Sequence, residues 1–344
     1  MSDARGANEG MTTHPWPVGA VTGVGSLPGS DPVDAAALVF GELPTLPHVP
    51  ELPARGAGAD MVGRTAALLV DLPVELVPSG WRIAAHAGHD LRRSRDFLAW
   101  DIDAVEAAGA GHTGAVKVQA AGPWTLAASL ELMTGHKIVT DHGAVRDLTE
   151  SLAEGLRAHV AQVARRLPGA RVVLQLDEPS LPAVLLGRVP TPSGYGTVRA
   201  VEPGVVEQRL RDVLAVAEEG SRVVHCCAPD PPVGLLRAAD ADAVSLDLDR
   251  LATAQLDALG EAVDAGTSLW LGVLPSVEAA ASFDAARDRL RDFWGQLGFP
   301  AGDLARHVVP TPSCGMAGAS PAHVRQVLSV LADLGRYLTD EVEA

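Results

Sequence analysis

The chain has 344 residues, is 47% hydrophobic and carries a formal net charge of −16 with a pI of about 5.0. Such a surface repels the phosphate backbone of nucleic acid, and no Lys/Arg cluster offsets it, so nucleic-acid binding and polybasic membrane anchoring are both disfavoured. The three cysteines, Cys226, Cys227 and Cys314, are odd in number and too few for a disulfide framework, which fits a reducing, cytoplasmic setting.

Residues 1–18 mix Asp, Glu, Gly, Asn, Thr and Pro without an apolar core. They read as a disordered tail rather than a signal peptide, and no later run is long enough to span a bilayer. Beyond them, short apolar runs alternate with long helical patterns, which predicts βα units and a parallel sheet. The candidate strands, in chain order, are Val21–Ser26, His48–Leu52, Ala115–Ala121, Arg171–Asp177, Arg222–Cys227, Ala243–Asp247, Ser268–Val273 and His307–Thr311. Eight is the number that closes a barrel, so the expected fold is a single (β/α)8 TIM barrel over residues 19–344. Pro44, Pro47, Pro50 and Pro53 crowd the second candidate. The stretch from Pro44 to Gly58 also reads as an extended loop over one face, and Glu51 within it is assigned no role. Asp31-Pro32 and Ser320-Pro321 each supply a cap and a first-turn proline for a helix. Ala144–Leu167, Val205–Glu219 and Val277–Leu297 carry the amphipathic helical period.

Side-chain parity in the later strands is more informative than their number. In Arg171–Asp177, Val172, Leu174 and Leu176 share one face and Gln175 and Asp177 the other. In Ala243–Asp247, Ser245 and Asp247 lie opposite Val244 and Leu246. His225 and Cys227 share a face, with Cys226 turned toward the surrounding helices. Each polar set ends at the C-terminal tip of its strand, where barrel enzymes place their chemistry.

His225 and Cys227 therefore present imidazole and thiolate to one mouth. Cys314 follows the last strand, and Asp247 ends the strand between them. His, Cys, Cys and Asp form a plausible zinc set, because thiolates favour zinc over harder ions. The plainer alternative is a satisfied core histidine with two packing cysteines, since neither a CxxC pair nor HExxH is present. Asp177, in Asp177-Glu178-Pro179, suits a substrate ammonium, a loop cap or a buried ion pair. Gly25 and Ser26, in Gly23-Val24-Gly25-Ser26-Leu27-Pro28-Gly29, can let backbone N–H groups approach a carboxylate. This segment fails as a dinucleotide fingerprint, since Pro28 stands where the third glycine belongs, and GxxxxGK[ST] and GxSxG are both missing.

In order, Gly25-Ser26, Gly122-Pro123-Trp124-Thr125, Leu176-Asp177-Glu178-Pro179, His225-Cys226-Cys227, Ser245-Leu246-Asp247 and Ser313-Cys314-Gly315 resemble the catalytic barrel of cobalamin-independent methionine synthase. The likeness runs from about Thr22 to the C-terminus. It implies a zinc ion on His225, Cys227, Asp247 and Cys314, a grip by Asp177 on the amino group of homocysteine, and Gly25 and Ser26 near its carboxylate. It also implies methyl transfer from 5-methyltetrahydropteroyltriglutamate to homocysteine to give methionine.

The chain departs from that family at four points. Asp247 stands where the family has Glu, and the further N-terminal barrel of longer members has no counterpart here. Ser129 fills the place of the folate-stacking Trp. The family's Asp and His after the seventh strand have no match in Gly272-Val273-Leu274-Pro275-Ser276. Methylfolate needs its nitrogen protonated, so a methylcorrinoid protein is an alternative donor. A metal-free barrel like uroporphyrinogen decarboxylase is a rival enzyme reading, and a non-catalytic thiol- or zinc-binding barrel is a second.

Overall fold

The computed structural model describes residues 14–343. Six parallel strands form one curled sheet in chain order: β3 (Ala115–Ala121), β4 (Arg171–Asp177), β5 (Arg222–Cys226), β6 (Ala243–Asp247), β7 (Ser268–Leu274) and β8 (Val308–Pro312). They are preceded by an antiparallel hairpin, β1 (Val74–Val77) and β2 (Gly80–Ile83), which the alternation of apolar runs did not predict. Helices link each parallel strand to the next, as parallel pairing requires. The expected helix over Ala144–Leu167 spans His142–Arg166, and that over Val205–Glu219 spans Pro203–Leu214. The one expected over Val277–Leu297 starts later, at Phe283, where the Ser282 hydroxyl accepts from Ala285 N. Asp31 caps the helix Pro32–Glu42 through Val33 N at 2.8 Å, and Ser320 Oγ accepts from His323 N at 3.1 Å.

The first two expected strands are corrected. Residues 22–27 and 47–51 do not form ladders; they make isolated parallel bridges, Ser26 to Glu51 and His48 to Lys117. The physical reason is local: prolines lack the N–H a ladder uses, and Gly23 and Gly25 weaken an extended run. What remains is a sparse set of bonds reaching both edges of the sheet. Thr22 N donates to Pro310 O at 3.4 Å and Leu27 N to Glu51 O at 2.9 Å. Val49 N donates to Lys117 O at 2.9 Å, and Lys117 N to Pro47 O at 2.8 Å. The Pro44–Gly58 stretch is accordingly not laid over one face, since His48, Val49 and Glu51 are buried against β3 and residues 25–27.

Alternation along the parallel strands sorts the sheet's inner face into layers. Ala115, Val173, Val223, Ala243, Trp270 and Val309 form an apolar floor, closed by Trp16, Ala20 and Leu46. Residues 1–13 of the expected tail lie outside the described residues. Residues 14–18 do not behave as a tail, because Trp16 meets Trp270 edge-on with ring centroids 5.1 Å apart. A lone Trp between two prolines carries no period that would reveal its burial. Above the floor the inner residues turn polar: Lys117, Gln119, Gln175, Asp177, His225 and Ser245 are all buried. The outer face packs its apolar residues against the helices.

Candidate active site

The parallel register brings the polar residues of neighbouring strands level, with Asp177 beside His225 and His225 beside Ser245. One His225 nitrogen, Nδ1, hydrogen bonds Ser245 Oγ at 3.0 Å. The other, Nε2, is buried and has no hydrogen-bond partner among the described residues. Cys227 lies just past the end of β5, and Cys314 stands on the turn after β8, held by Ser313 N donating to Leu274 O at 2.8 Å. Their sulfurs share a hydrogen bond at 3.6 Å. One ligand atom from each of His225, Cys227 and Cys314 falls within 4.8 Å of the others.

The bond from Cys227 and the imidazole beside Cys314 hold Cys314 well below the usual thiol range, whereas sharing its proton with Cys314, and then burial, push Cys227 up. Cys226 faces the helices, as its parity requires. It is fully buried, and burial pushes its thiol up to about 12. It has no part in the cluster.

Asp247 does not join the three. Its Oδ1 accepts from Asp249 N at 3.1 Å and its Oδ2 pairs with Arg250 Nε at 3.2 Å, so the carboxylate caps the turn Leu248–Arg250. Parity put it on the right face, but local capping turned its head away.

Asp177 ends β4 and is buried on the sheet's inner, polar face. Its Oδ1 accepts from Gln175 Nε2 at 2.7 Å, while Oδ2 makes no hydrogen bond among the described residues. Burial pushes its carboxyl up, against the pull of His225. Glu178, next along, faces the other way and caps the helix Pro123–Ser129. Ser26 lies against the Cys314 loop: its carbonyl accepts from Met316 N at 2.8 Å, and a Cβ on Gly315 would stand 2.1 Å from its hydroxyl. Gly25 is equally confined, since a Cβ there would meet the Gln119 side chain at 3.0 Å. Trp124 is core, with its indole N–H donating to Val206 O at 3.0 Å.

Three buried groups of this site escaped the sequence. Lys117 and Gln119 occupy the inner parity of β3. Glu51 is bonded through its backbone to Gly25 and Leu27, and Arg64 approaches its carboxylate at 3.7 Å. The alternation that exposed Gln175 and Asp177 was present in Ala115–Ala121 as well. Glu51 had no such signal among its prolines.

The model of the cobalamin-independent synthase catalytic domain matches residues 19–336. The chain belongs to that family. Among curated proteins no sequence match is found. Among solved structures, a B12-independent methionine synthase from Shewanella sp. W3-18-1, determined with selenomethionine, superposes with a TM-score of 0.61 at 13% identity, covering 95% of this chain and 99% of that one. At that identity the likeness speaks to fold. The GH5_18 protein from Streptomyces cattleya, determined with GlcNAc, matches with a TM-score of 0.47 at 14% identity over 93% of this chain and 80% of its own. Within the family frame, the His225–Cys227–Cys314 group stands at the C-terminal end of the sheet.

Proposed function

We propose that this chain is a zinc-dependent S-methyltransferase that methylates the thiol of homocysteine to give methionine. We further read the fold as a (β/α)8 barrel whose first two staves are residues 22–27 and 47–51. The observation that carries the functional reading is the convergence of His225, Cys227 and Cys314 within 4.8 Å. The donor set suits zinc: two thiols join an imidazole whose Nε2 is buried without a partner among the described residues and whose Nδ1 is oriented by Ser245. A zinc ion held there would supply a coordinated thiolate nucleophile at neutral pH, where a free thiol with a pKa near about 8.5 is mostly protonated. Asp247 completes the set only by leaving Arg250 and the Asp249 N–H.

The chain's own groups bind and orient. Asp177 Oδ2 takes the substrate ammonium, and Gly25 and Ser26, beside the Cys314 loop, face its carboxylate. The apolar floor of Trp16, Trp270 and Val309 keeps water from entering beneath the site. The loop Gly272–Ser276 offers neither the Asp nor the His that would protonate a methylfolate. A methylcorrinoid protein, whose cobalt leaves without a proton, therefore fits as donor better than 5-methyltetrahydropteroyltriglutamate.

The test is zinc content together with methionine formation by the full chain from each donor. Zinc near one per chain is expected, as is turnover from the methylcorrinoid. Turnover with methylfolate alone would sink the corrinoid donor. Zinc without transfer from either donor would leave a thiol-binding barrel. Zinc-free protein from metal-replete medium would bring forward the metal-free reading resembling uroporphyrinogen decarboxylase.

A further inference from the structure

Lys117 is fully buried on the inner face of β3. An ammonium has three N–H donors. Lys117 spends them on Val24 O at 2.7 Å, Gln175 Oε1 at 2.8 Å and, more loosely, Gln119 Oε1 at 3.4 Å. No carboxylate oxygen lies within ion-pair distance of Nζ among the described residues, and burial pulls the ammonium down to about 7 against the opposing pull of Asp177 and Glu51. Its position explains the expense. Because Lys117 can only donate, it claims the oxygen of the Gln175 amide. The Gln175 nitrogen is thereby turned to Val24 O at 3.0 Å and to Asp177 Oδ1 at 2.7 Å. A relay runs from Lys117 through Gln175 to one oxygen of Asp177, leaving the other oxygen without a hydrogen bond among the described residues. Gln119 is tied into the same layer, donating to Val49 O at 2.5 Å.

We propose that Lys117 is a positioning residue for substrate selection: through Gln175 it fixes Asp177 so that Oδ2 meets the protonated α-amine of a small amino-acid thiol. Thiols lacking that amine gain nothing from the relay. The inference deepens the proposed function, because it rests on Asp177 being the ammonium site.

The experiment compares binding of homocysteine with 4-mercaptobutanoate, the same skeleton without the amine, by titration calorimetry on the zinc-loaded chain. Lys117→Met is expected to weaken homocysteine binding about tenfold or more while changing 4-mercaptobutanoate by less than about twofold, as loss of support for a charged hydrogen bond predicts. Gln175→Met, which cuts the relay at its middle, should show the same selective loss and decides the matter if Lys117→Met does not fold. Equal weakening of both thiols, or of neither, overturns the proposal. Asp177→Asn separates it from the reading beneath. If that variant loses homocysteine selectively and the relay variants do not, Lys117 has no such role and the ammonium site stands. If Asp177→Asn affects both thiols alike, the ammonium site itself falls, and the inference with it.

Discussion

Glu178 Oε2 accepts from both the backbone N–H and the hydroxyl of Thr125, each at 2.7 Å, while its other oxygen accepts from Trp124 N at 2.9 Å. One buried carboxylate thus clamps the Gly122–Thr125 turn to the tip of β4. A Cβ on Gly122 would stand 2.3 Å from Glu178 Oε1, so the glycine is the residue that lets the clamp close. The Gly122–Thr125 turn and the Asp177-Glu178 tip of β4 are therefore two halves of one brace. Replacing Glu178 by Ala strands two buried N–H groups and a hydroxyl, which should cost about 2–4 kcal/mol by chemical denaturation. On the zinc reading proposed above, zinc content should be unchanged, because Glu178 is not among the residues proposed to hold the ion and its backbone bond to His225 O survives the substitution. A cost within experimental error of zero would mean that the helix start is held by other contacts.

The adjacent cysteines give a contrast within one dipeptide. Cys227→Ser and Cys314→Ala should each strip or markedly loosen zinc, measured by metal analysis after dialysis against a weak chelator. Cys226→Ser should retain zinc and instead lower the denaturation midpoint, because its side chain is fully buried and a hydroxyl there is costlier to desolvate than a thiol. Zinc loss in Cys226→Ser with its fold intact would mean that the parity of β5 has been misassigned.

How far the sequence carried depends on where period-two alternation was visible. In β4, β5 and β6 polar and apolar residues alternate, and these strands fall where expected, β5 ending one residue early. In β3 the same alternation places Lys117 and Gln119 inside, but a fully buried lysine runs against the usual tendency and needs partners on β4 to make sense. Those partners are distant in sequence. Val21–Ser26 and His48–Leu52 read as strands in the sequence, but the structure gives them only isolated bridges, because hydrogen bonding there depends on distant partners that period-two alternation does not report. Asp247 shows the opposite failure: its face was readable, yet a capping bond two residues away sets where its carboxylate points.

That competition makes Asp247 testable. If its carboxylate stays with Arg250, Asp247→Asn should shift zinc affinity by no more than about threefold, whereas a true ligand should cost tenfold or more. Arg250→Ala sharpens the comparison. Freeing Asp247 should tighten zinc if the carboxylate can reach the ion, and leave affinity unchanged if it cannot. Competition with a chromogenic chelator reads both variants. A tenfold loss in Asp247→Asn would return it to the ligand set.

His159, buried on the helix His142–Arg166, ties stability to pH. Burial pulls its imidazole down to about 3, helped by the positive charge of Arg64. Its Nδ1 has no partner among the described residues that would reward protonation. The folded pKa thus lies below the unfolded value of about 6.5, so the unfolded chain binds the extra proton. The stability contributed by the neutral ring is complete above pH 6.5 and is lost as pH falls toward 3. Urea midpoints measured from pH 7.5 to 4.5 should therefore decline in the wild-type chain and decline less steeply in His159→Phe, which fills the same space without titrating. His48, whose ring burial and Lys117 also hold well below its usual range, contributes a slope that survives in that variant. Parallel curves for the two proteins would assign the acid sensitivity to His48 and the paired carboxylates and remove His159 from the account.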